Sequence, residues 1–100
     1  MEKLVRDKVP NILQKSDKKF KIRVVKGGEY IQKLKEKLKQ EVEDFIADEA
    51  IEELADIMEI VLLLSKSKGV DIKNLEEFRK LKAAERGSYK EGFVLVDEGM

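Results

Sequence analysis

Ile31, Leu34, Leu38, Val42, Phe45 and Ile46 recur at three- and four-residue intervals, which predicts an amphipathic helix from Glu29 to about Ala47. A second helix is predicted from about Glu49 to Lys68, with Asp48 as its N-cap, Glu49 and Glu52 in its first turn, and Gly69 just past its end. A third, from about Ile72 to Glu85, has Asp71 as cap, places Leu75, Phe78 and Leu81 on one face, and stops at Gly87. Upstream, Pro10 suits the first turn of a small helix through Asn11, Ile12 and Leu13. Phe20 to Val25 (FKIRVV) alternates apolar and basic residues and reads as a short strand, closed off by Gly27-Gly28. The tail Gly92 to Val96 (GFVLV) is β-prone and able to pair with it.

The second helix carries the most demanding pattern. Ile60, Val61, Leu62, Leu63 and Leu64 point all the way round its cylinder, so it needs cover on every side. One more helix and two short strands supply little, and the reading that follows is an isologous dimer whose centre is a four-helix bundle built from two hairpins. The alternative is that the third helix and the strands wrap it alone. The fold class expected is thus mainly α: a helical hairpin plus a third helix, with short terminal strands, forming a single domain over residues 1–100.

Two acidic pairs sit at the margins of these apolar stripes. Glu41 falls on the shoulder of the first helix's apolar face, in a slot where the spacing calls for an apolar residue, and Asp44 lies one turn on along the same edge. On the second helix Asp56 begins the stripe continued by Ile60 and Leu63, and Glu53 precedes it by one turn. The pairs are mirrored about the Asp48–Glu49 boundary, so a hairpin bent there sets Glu41 opposite Asp56 and Asp44 opposite Glu53, on levels about 4.5 Å apart. Four partly desolvated carboxylates so close repel one another unless a cation compensates them. All-oxygen ligation selects hard ions, Mg²⁺ first and Mn²⁺ second. Acidic pairs at this spacing also arise by chance and then form a solvated face, and on pattern alone both readings stand.

Composition narrows the chemistry. Lys plus Arg and Asp plus Glu are both 21 in 100 residues, and the zero net charge offers nothing to a nucleic acid polymer. With no His and no Cys, catalysis has to rest on carboxylates, amines, hydroxyls and bound ions. The N-terminus lacks an apolar signal region and no apolar run is long enough to span a bilayer, so a cytoplasmic location is expected.

E-x-x-D at Glu41–Asp44 followed by E-x-x-D at Glu53–Asp56 resembles the E-E-x-x-E and E-x-x-D motifs of the all-α nucleoside triphosphate pyrophosphohydrolases, the MazG-like superfamily. The opening KLVRDKVP (Lys3 to Pro10) and the late AAERGSYKEGFVL (Ala83 to Leu95) are similar to those of a compact branch described as phosphoribosyl-ATP pyrophosphohydrolase-like. Two positions depart from the motif: its first Glu is Gln40 and its last is Asp44. The resemblance implies Mg²⁺-dependent cleavage of a nucleoside triphosphate to monophosphate and pyrophosphate, in a house-cleaning role. Its alternatives are action on phosphoribosyl-ATP in histidine biosynthesis, or a metal- or nucleotide-binding dimer module without activity.

In that reading Glu41, Asp44, Glu53 and Asp56 hold metal, and Glu53 and Glu41 are the catalytic candidates. Glu59, one turn after Asp56, is an outside candidate. Lys37, with Lys33 on the same flank, is a phosphate contact or else the salt-bridge partner of Glu41. Arg6, Lys8, Lys82 and Arg86 are further substrate contacts by resemblance, Arg86 favoured by the glycine after it. Phe45, Tyr30 and Tyr89 are stacking candidates or plain core residues. The expected partners are a nucleotide substrate and further copies of the chain, as a homodimer or a dimer of dimers, with no membrane.

Overall fold

The computed structural model describes residues 2–97 and 99. Four helices account for its regular structure among these residues: α1 (Val9–Gln14), α2 (Gly27–Asp48), α3 (Ile51–Ser67) and α4 (Ile72–Arg86). The mainly helical class matches the periodicity of the sequence. Pro10 sits in the first turn of α1, where its missing N–H costs nothing.

The hairpin of α2 and α3 is the dominant packing unit, and α4 rests on α3 through a smaller contact. Leu34 on α2 is fully enclosed and Ile60 on α3 nearly so. Leu62, Leu63 and Leu64 are half-buried, so the apolar run that encircles α3 is only partly covered. A helical face of Leu54, Met58 and Val61 remains exposed on α3, alongside Val42 and Ile46 on α2.

The hairpin turn corrects the expected boundary. Asp48 does not cap the second helix; it is the last residue of α2. Glu49 takes a left-handed conformation (φ 55°) and its N–H bonds the Phe45 carbonyl at 2.7 Å, which ends α2, and Ala50 then begins α3 without a side-chain cap. At the other end Gly69 (φ 78°) terminates the α3 region, and the Ser65 hydroxyl donates to the Val70 carbonyl at 2.8 Å, tying the chain down before α4. Asp71 caps α4 as expected, accepting from the Asn74 N–H at 2.8 Å, and Gly87 (φ 82°) closes it.

The two expected strands do not form. Phe20–Val25 and Gly92–Val96 are irregular, and no strand occurs among the described residues. Among the described residues no backbone hydrogen bond joins the two segments, and β-propensity without a paired neighbour does not make a strand. Arg23 nevertheless fixes the first of them, its Nε donating to Glu2 Oε1 at 2.6 Å and its terminal nitrogens to both Glu29 oxygens.

The chain exposes 9378 Å², whereas a compact monomer of 11.5 kDa exposes about 5,800 Å². Its radius of gyration, 17.9 Å, likewise exceeds the about 13 Å of a compact domain this long.

Candidate functional site

Glu41 is a buried acid on an otherwise apolar helix shoulder, 7% exposed. Lys37, one turn earlier on α2, sits 3.4 Å from its Oε1, the i, i+4 ion pair that helix geometry favours. Asp44, one turn later, and Glu53, across the hairpin on α3, are half-buried. The Oε2 atom of Glu53 is fully enclosed and has no hydrogen-bond partner. Burial pushes the Glu53 carboxyl above its usual range, and the charges of Asp48, Asp44 and Glu41 add to the shift.

Asp56 has a different neighbour. Arg6 in the entry segment donates to its Oδ1 through Nε at 3.0 Å and Nη2 at 2.5 Å. That hydrogen bond, followed by the charge of Asp56, raises the Arg6 pKa, with Glu59 and Glu41 contributing from further off. Glu41 is therefore electrostatically common to two groups: Glu53, Asp48 and Asp44 on one side, and Arg6, Asp56 and Glu59 on the other.

This arrangement differs from four mutually facing carboxylates. Among the described residues no group of three or more acidic side chains is drawn together closely enough to cage an ion. The turn explains part of the difference. It centres on Glu49–Ala50, one residue beyond the mirror axis, so facing levels on α3 slip by two residues, or about 3 Å. Glu53 then falls between the levels of Asp48 and Asp44, and Asp48, which the sequence pattern assigned to the turn as an N-cap, joins the acidic set. Its place one helical turn beyond Asp44 was the available signal.

The residues fit a hard divalent cation by donor chemistry. Every donor is a carboxylate oxygen, and the enclosed Glu53 oxygen meets no hydrogen-bond donor.

Of the basic candidates, the structure brings Lys37 and Arg6 to the carboxylates. Lys8, Lys82 and Arg86 are exposed, on the cap of α1 and along α4, and no ion pair among the described residues joins them to the acidic set. Tyr89 is almost fully exposed, while Phe45 and Tyr30 are half-buried. A depression of about 200 Å³ between the entry segment and α2 is lined by Lys3, Lys33 and Lys37, by Glu2 and Glu36, and by Leu4 and Gln40. That volume is below the range of whole-nucleotide pockets. Gln40, where the resembling motif carries Glu, lines this mixed-charge hollow.

Comparison of the chain with protein-family models, curated proteins and solved structures returned no match.

Proposed function

We propose that this protein is a Mg²⁺-dependent nucleoside triphosphate pyrophosphohydrolase of the MazG-like kind, acting in the cytoplasm on non-standard nucleotides. One observation carries the reading: Glu53 holds an enclosed, unpartnered carboxylate oxygen whose proton affinity is raised by burial and by three neighbouring acids. Glu41, Asp44, Glu53 and Asp56 are the residues that would hold the ion, with Mn²⁺ as a substitute. A bound divalent cation supplies charge neutralisation for a triphosphate and activation of water.

The chain's own groups do the rest. A Glu53 carboxylate with raised proton affinity is suited to accept the proton of an attacking water. Lys37 and Arg6, paired with Glu41 and Asp56, are the basic side chains beside the acidic set that would meet phosphate oxygens. The exposed face of Val42, Ile46, Leu54, Met58 and Val61 supports a homodimer in which two hairpins form a four-helix bundle.

A second reading has its own observation. Asp56 is already neutralised by Arg6, an arrangement a non-catalytic binding module would also show. Incubation with Mg²⁺ and a panel of standard and modified NTPs, dNTPs and phosphoribosyl-ATP, followed by pyrophosphate detection, separates the two. The pyrophosphohydrolase reading requires release that is lost in Asp56→Asn. Turnover confined to phosphoribosyl-ATP would move the role to histidine biosynthesis. No turnover of any substrate would leave the binding module.

A further inference from the structure

The apolar tail is the largest feature that neither the hairpin nor the proposed chemistry explains. Phe93 is 90% exposed and Val96 92%, with Val94 and Leu95 close behind, so both faces of GFVLV lie open. Four consecutive large apolar side chains in an extended segment need cover above and below, as an inserted strand has. The second open segment has the matching character. Phe20, Ile22 and Val24 alternate along FKIRVV and all are exposed, while Arg23 anchors the backbone to Glu2 and Glu29. It is a positioned edge without a neighbour.

Charge matches the two. Residues 18–26, KKFKIRVVK, carry Lys18, Lys19, Lys21, Arg23 and Lys26 and no acid, whereas the tail's apolar run is flanked by Glu91, Asp97 and Glu98 against one base, Lys90. Opposite charges on adjacent strands support pairing.

Chain geometry argues against closure within one molecule. Phe20–Val25 leads directly into the start of α2, which the hairpin places at the same end as the start of α4. The 15 residues of α4 carry the chain about 22 Å away. Gly87–Gly92 spans about 20 Å at full stretch, so a tail doubling back along α4 comes level with its own FKIRVV only with this linker fully drawn out.

A second copy answers the area as well. The chain exposes about 3,600 Å² more than a compact monomer. An obligate dimer interface removes roughly 1,000–2,500 Å² from each partner, so a bundle contact alone leaves apolar surface over. We propose that the Gly92–Val96 tail of one chain adds as a β-strand to Phe20–Val25 of a second copy, so that the dimer is laced by reciprocal strand exchange.

The chain has no cysteine, which makes disulfide trapping unambiguous. Single variants Ile22→Cys and Val24→Cys are each mixed, reduced, with Val94→Cys or Leu95→Cys and oxidised with diamide. The expected result is a reducible species of twice the chain mass, at several times the yield of either variant oxidised alone, for at least one pair. The double variant Val24→Cys/Val94→Cys is expected to give linked dimer rather than an internally closed chain. Internal closure in the double variant, or no mixture-dependent dimer from any pair, overturns the proposal. Deletion of residues 92–100 provides a readout free of cysteines: the dimer dissociation constant by sedimentation rises at least about tenfold, and an unchanged constant overturns the proposal equally.

Discussion

The α2–α3 hairpin and the α4–tail region are built from similar material but finished differently. The hairpin encloses Leu34 and Ile60 and uses that core to hold a buried acid, Glu41, at its margin. The α4–tail region is ordered by local devices, the Asp71 cap and the Gly87 stop, while Phe78, Leu81 and the whole GFVLV run face solvent. Packing defines where the acidic set sits. Propensity and capping define a helix that brings apolar surface to an as yet uncovered place.

The sharpest way to break this contrast is Leu34→Ala. A fully enclosed leucine makes it cost about 2–5 kcal/mol in denaturant unfolding, and a cost well below that range would mean the hairpin core does not carry the fold. Asp71→Ala comes next, at about 0.5–2 kcal/mol, because α4 has little packing to replace its cap. Circular dichroism should show helix loss confined to α4; loss spread over the whole chain would mean that α4 and the hairpin melt as one unit.

Glu53→Gln has a pH-dependent effect whose sign follows from its raised pKa. In the folded chain the charged form is disfavoured, so this group weakens the fold above its folded pKa and the penalty is relieved as pH falls through that value. The Gln variant should therefore melt higher than the parent at neutral pH. The gap should close as pH falls from just above the ordinary carboxylate range into it, when thermal midpoints are compared in the absence of divalent ions. Parallel curves would mean that Glu53 is not held against its charge. Arg6→Ala has the smallest expected effect on stability, because its ion pair with Asp56 is largely solvated. Under the proposed pyrophosphohydrolase reading the variant should show a higher KM for nucleotide with folding unchanged.

How far the sequence spoke for itself differs between the same two regions. Helix positions, the Asp71 cap and the Gly69 and Gly87 stops were legible because each is a local rule. The turn was missed by one residue: Asp48 has the chemistry of an N-cap, but the left-handed Glu49 lets α2 run through it. That slip could not be read from composition, and it moves Asp48 into the acidic set. Pairing of Glu41 with Lys37 was visible in the i, i+4 spacing. The Arg6–Asp56 contact spans fifty positions, and only the path of the entry segment creates it. The strand pattern of FKIRVV and GFVLV was readable as β-prone, but pairing is a tertiary matter that propensity does not determine.

Calorimetric titration of Mg²⁺, repeated with Mn²⁺, tests whether the acidic hairpin holds a divalent cation. Saturable binding to the parent chain is expected, lost in Glu41→Gln/Glu53→Gln, with circular dichroism confirming that the variant is folded. Equal binding by the two chains, or none by the parent, would contradict it.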